Sequence, residues 1–116
     1  MAVIDSLRAL ARKGGPSRLE RAVSRFAEIA PSIATTIRET CATNDTDSLW
    51  RAAHSLKSSA GALGAKQLSQ RCEKIELYAR SSNLEETKPL VEELDQDLTA
   101  AIRDLQAVIG EMHVPA

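Results

Sequence analysis

Aromatic residues are nearly missing from this 116-residue chain, which has one Phe, one Trp and one Tyr. Sheet cores draw on aromatic and β-branched side chains, so this scarcity argues against an all-β fold. Five glycines and four prolines fall in a few places rather than at the regular short spacing of a sandwich or barrel. The only cysteines, Cys41 and Cys72, form no C-x-x-C pair and read as small core residues of a reducing compartment. No apolar run approaches the length of a membrane span, and the N-terminus has no signal-peptide pattern. A soluble, cytoplasmic domain without direct membrane contact is expected. The net charge of −1 excludes a surface built wholly for nucleic acid.

What is present is aliphatic and charged: 43% of residues are hydrophobic and 27% charged, a globular balance. The length suits one domain, 1–116, with a single core. Apolar residues recur every three or four positions, predicting five helices. A short first helix carries Val3, Ile4, Leu7, Leu10 and Ala11 and stops at Gly14-Gly15-Pro16. The second carries Leu19, Val23, Phe26, Ala30, Ile33, Ile37 and Cys41. Its stripe stays in phase past Pro31, which predicts a kink near Ala30 rather than a reversal. Asn44 to Asp47 supply a loop and an N-cap for a third helix over roughly 47–63, ended by Gly64. The fourth runs from about Ala65 to Arg80 on a seam of Leu68, Cys72, Ile75 and Ala79. The last ends near Gly110, with Val91, Leu94, Leu98, Ile102, Leu105 and Ile109 inward and Pro89 near its start. Four long amphipathic helices with short turns are expected to form an antiparallel four-helix bundle, with the short N-terminal helix as an addition. The ordered bundle spans about 3–110, followed by a tail, 111–116.

Charge is unevenly spread. Residues 51–80 hold six Lys or Arg against two acids, and residues 81–116 hold two against eight. A basic island of this kind suits an acidic partner site. It surrounds the stretch AHSLKSSAGALGA, residues 53–65. At about 100° per residue, Leu49, Ala52, Leu56, Ser59, Ala60 and Leu63 fall on one inward face, and His54 points the opposite way. Arg51, Lys57, Ser58 and Gly61 are its outer-face neighbours.

An outward histidine of ordinary pKa, about 6.5, keeps a lone pair on one ring nitrogen at neutral pH. That nitrogen can act as nucleophile, base or metal ligand. Lys57 at i+3 would sit beside an anion formed on the ring, and the small residues clear room for another protein. A carboxylate on an adjacent helix would select one ring nitrogen by binding the other, and Glu76 is the candidate. A lone surface histidine is more often merely solvated, and a Ser/Ala/Gly face more often packs helix on helix. Metal binding is disfavoured, because His54 lacks a His, Cys or carboxylate at i+3 or i+4 and His113 lies in the tail. A hydrolase would need a nucleophile elbow, and a nucleic-acid groove would interleave aromatics with the basic charge.

His54-Ser55-Leu56-Lys57-Ser58-Ser59-Ala60 followed by Leu63-Gly64-Ala65 resembles the H-x-L-K-G-S-[SA]-x-x-[LV]-G-A signature of histidine-containing phosphotransfer (HPt) domains. Leu68 and Cys72-Glu73-Lys74-Ile75-Glu76 resemble the family's L-x-x-x-C-x-x-[LI]-E continuation. The phase of Phe26, Pro31, Ile33 and Ile37 resembles its preceding helix. Ser58 departs from the usual Gly but is still small. The resemblance implies a phosphorelay intermediate that takes a phosphoryl group on His54 from a receiver-domain aspartyl phosphate and passes it to another receiver aspartate. It implies that Lys57 stabilises phosphate, Glu76 orients the imidazole, and Arg51, Ser58 and Gly61 lie where the partner docks. Mg²⁺ would come from the receiver, and the domain would have no cofactor and no ATP-dependent kinase activity of its own. A hybrid sensor histidine kinase, soluble at its C-terminus and membrane-anchored elsewhere, is the expected parent, and a monomer the expected state. Two rival readings are a bundle that docks receivers without accepting phosphate and a chemotaxis-kinase-type domain phosphorylated by an ATP-binding domain.

Overall fold

Each connection between helices is three residues long, and all three are built the same way. The computed structural model describes residues 16–112, as four α-helices and no strand among the described residues: α1 (Pro16–Ala42), α2 (Thr46–Ala62), α3 (Lys66–Arg80) and α4 (Leu84–Met112). The middle residue of each connection has positive φ: Asn44 (59°), Gly64 (78°) and Ser82 (57°). The residue after it donates its N–H to a carbonyl five positions back: Asp45 to Thr40 (2.9 Å), Ala65 to Ala60 (2.9 Å) and Asn83 to Tyr78 (2.8 Å). The left-handed residue itself donates three positions back, to Cys41, Gly61 and Ala79. This is the Schellman closure, which satisfies carbonyls that a helix end would otherwise orphan. Helices α2 and α4 then start on side-chain caps, while Ala65 before α3 supplies none. Asp45 Oδ1 accepts from Ser48 N (3.2 Å), and Asn83 Oδ1 accepts from Glu86 N (3.4 Å).

The helices pack in ring order, α1 on α2, α2 on α3, α3 on α4 and α4 back on α1, in a body of 51 × 19 × 19 Å. Ile37, Leu49, Leu56, Leu68, Ile75, Leu94 and Leu105 are fully buried in the shared core. Each contributes about 1.5–3 kcal/mol by leaving water. Cys41 and Cys72 are buried free thiols. Burial pushes both thiols up, Cys72 to about 12 with Asp97 adding to the rise and Arg71 opposing it. Both are packing groups.

Helix α1 runs unbroken through Pro31, whose ring is exposed, so the missing donor falls on the watered side. Several expectations shift. Helix α2 begins at Thr46 rather than Asp47, Ala65 is the residue before α3 rather than its first turn, and α4 continues to Met112, so Glu111 and Met112 are helix and not tail. Ala53, not Ala52, sits at the centre of the inward face of α2; Ala52 is half-buried and Ser59 exposed. Val108 joins the α4 core, while Ile102 and Ile109 are only partly covered. The short N-terminal helix expected over Val3–Ala11 and the tail beyond Met112, His113 included, lie outside the described residues. Among the described residues, no helix is long and apolar enough to cross a membrane.

Candidate functional site

The site is built on α2 and α3, which pack against each other. His54 lies at mid-α2, its side chain 54% exposed, and its Nδ1 is 3.0 Å from Oε2 of Glu76 on α3. Glu76 belongs to the inward side of its helix, beside Cys72 and Ile75, and its own side chain is only 5% exposed. A buried carboxylate needs partners, and Glu76 has three. Lys57 Nζ donates to Oε1 at 2.7 Å, His54 Nδ1 meets Oε2, and Arg80 Nη1 lies 3.6 Å from Oε2.

Burial pushes the Glu76 carboxyl up, but the hydrogen bonds from Lys57 and His54, with their charge, outweigh it and hold the group below its ordinary value. An ionised carboxylate only accepts. Nδ1 must therefore carry the hydrogen, and in a neutral ring that leaves the lone pair on Nε2. Glu76, the carboxylate expected to occupy one ring nitrogen, thus lies against Nδ1.

Lys57 is half-buried rather than free on the surface, because its ammonium is tied to Glu76. Arg51, Ser58 and Gly61 are exposed on α2 as expected. Arg51 pairs with Asp47 at 3.3 Å. Gly61 also serves the packing of α2 on α3: a Cβ there would come within 3.3 Å of Ser69 Oγ, which donates to the Lys57 carbonyl. Part of the small-residue face is therefore close helix–helix packing. His54 itself stands on open surface. The apolar groove nearby, about 270 Å³ and lined by Phe26, Ile29, Ile33, Ser59, Ala62 and Leu63 among others, does not include it.

Two residues were not anticipated. Trp50, one turn before His54 on α2, lies under the Arg80 guanidinium, whose Cζ is 4.4 Å from the ring centroid. Arg51 Cζ is 5.3 Å from the same ring. The spacings Trp50/His54 and Glu76/Arg80, both i and i+4, were available in the sequence. That the two pairs meet was not, because it depends on how α2 and α3 cross.

The arrangement holds the imidazole by one nitrogen, offers the other outward, and gathers Lys57 and Arg80 around a single carboxylate. Such a site suits an incoming anion. Comparison with known proteins gives a match to one family model, the Hpt domain, over residues 21–104. No curated protein and no solved structure matches the chain.

Proposed function

Because this chain belongs to the Hpt domain family, whose members are phosphocarriers of two-component signalling that interact with response-regulator receiver domains, we propose that Nε2 of His54 is the atom that carries the phosphoryl group. The observation that supports this most directly is the 3.0 Å contact of Nδ1 with Glu76 beneath a half-exposed ring.

The Nε2 lone pair attacks phosphorus of a receiver aspartyl phosphate. The N–P bond forms as the P–O bond to the aspartate breaks, and the electron pair leaves with the carboxylate. The Nδ1 proton stays where it is, so the ring becomes cationic and Glu76 balances it. The same steps in reverse deliver the group to a second receiver aspartate. The transition state is loose, so alignment and charge stabilisation are what the protein must supply. Lys57, three residues from His54 and bonded to Glu76, then meets the phosphoryl oxygens. Arg51, Ser58 and Gly61 form the approach surface. The receiver brings Mg²⁺, which offsets phosphoryl charge. We read the helices as antiparallel, since three-residue connections leave no room for a return crossing, and a hybrid sensor kinase as the parent of the domain.

Mixing the protein with a phosphorylated receiver domain should give a modification that is acid-labile and base-stable, and His54→Gln should lose it. Equal labelling of the Gln variant would place the modification elsewhere, for example on His113, and end this reading.

A further inference from the structure

We propose that Arg80 is a second mobile cation of the phosphoryl site, parked on Trp50 and Glu76 in the resting protein and turned toward the phosphoryl group once His54 carries it. The inference rests on the reading of His54 above. Three observations support it. First, Arg80 and His54 share one oxygen: Nη1 is 3.6 Å from Glu76 Oε2, and Nδ1 is 3.0 Å from the same atom. Second, the Arg80 contact with that oxygen is longer than those of His54 and Lys57 and falls outside normal hydrogen-bonding range. Third, the guanidinium carbon lies over the Trp50 ring, 4.4 Å from its centroid and one turn along α2 from His54, a contact with the ring face that leaves the N–H donors available.

Phosphorylation changes the balance at this spot. A phosphoryl group brings up to two negative charges and three strong acceptors. A guanidinium bound to a phosphoryl group makes paired, charge-assisted bonds, stronger than the long contact to Glu76 and the contact with Trp50. Glu76 keeps Lys57 and the now cationic ring, so it loses little when Arg80 departs. The bland alternative is an exposed i,i+4 pair at the end of α3, where a basic residue also suits the helix dipole. That alternative gives Arg80 and Trp50 no response to phosphate.

Trp50 is the only tryptophan in the chain, so its emission reports whether Arg80 has moved. The full chain is treated with phosphoramidate, a small phosphodonor. Labelling is followed by ³¹P NMR and Trp50 emission in parallel. In the wild type, emission should change on the time course of phosphohistidine formation. In Arg80→Gln the label should appear about threefold to tenfold more slowly, with the emission change lost. Arg80→Lys, which keeps the charge, should recover part of the rate. If Arg80→Gln labels at the wild-type rate with the same emission change, Arg80 is structural and the proposal fails. Steady emission in fully labelled wild type overturns it as well, whether or not the variants fold. Wild type that does not label at all refutes the His54 reading beneath it, a different result from either of these.

Discussion

Helix α3 carries one ionic cluster on each of its two packed sides, and the two have opposite balance. Toward α4, Arg71 pairs with Asp97 and, at 3.1 Å, with Glu93: one cation between two acids. Arg71 and Asp97 are nearly covered, their side chains 17% and 10% exposed, and Gln67 adds a further donor to Asp97 at 3.4 Å. Toward α2, Glu76 is one acid among three cationic or basic groups, and an open imidazole sits at its edge. The first cluster is satisfied, with only Glu93 at its open edge. The second has charge to spare and faces water. Both use the same ingredient, an almost buried carboxylate, so burial alone does not mark a working site. The sign of the surplus and the exposure of one partner do.

The comparison can be broken from either side. The largest stability effect is expected at the first cluster. Arg71→Ala strands the nearly covered Asp97 and should cost about 3 kcal/mol, read by urea denaturation, while phosphoramidate labelling of His54 stays within about twofold of wild type. A small stability loss joined to a large labelling loss would reverse the roles assigned to the two sides. Glu76→Gln should do the opposite, slowing labelling about tenfold by releasing the tautomer and removing the counter-charge. Its stability cost should be smaller than that of Arg71→Ala. Lys57→Ala comes next, with labelling reduced about threefold to fivefold and an unchanged circular dichroism spectrum. A wild-type rate would remove Lys57 from the phosphate site.

The smallest effect is in the pH dependence of folding. The folded Glu76 carboxyl lies below its ordinary value of 4.5, so the folded protein binds that proton more weakly than the unfolded chain does. The resulting stability is fully present above the ordinary value and is lost as pH falls through the depressed folded value. Glu76→Gln should flatten this part of the profile in urea midpoints measured on unlabelled protein between about pH 6 and pH 3. Identical slopes would show that Glu76 is not stabilised as the anion.

The helical frame was readable because its signals are local. The stripe of Leu19, Val23, Phe26, Ala30, Ile37 and Cys41 is buried as its spacing requires, and the caps lie within a residue of where Asn, Asp and Gly put them. Ser59 was misplaced because it sits at the margin of the α2 face, where whether a side chain is covered depends on the neighbouring helix. Here α1 leaves a groove beside it. Glu76 was legible as a polar residue next to an apolar seam, but its grip on Lys57 was not: helical phase gives a direction, not a partner. Arg80 and Trp50 escaped for the same reason, each being an ordinary surface residue until α2 and α3 are laid together.

The joint between those two helices is Gly64, ten positions after His54 and twelve before Glu76. Its φ of 78° suits glycine far better than a residue with a Cβ, and that torsion sets the rotational phase in which one helix meets the next. All the groups at the site belong to the 31 residues from Trp50 to Arg80, on either side of this one bend. A substitution at the bend would therefore reach the imidazole as a change of aim, with every reacting group still in place.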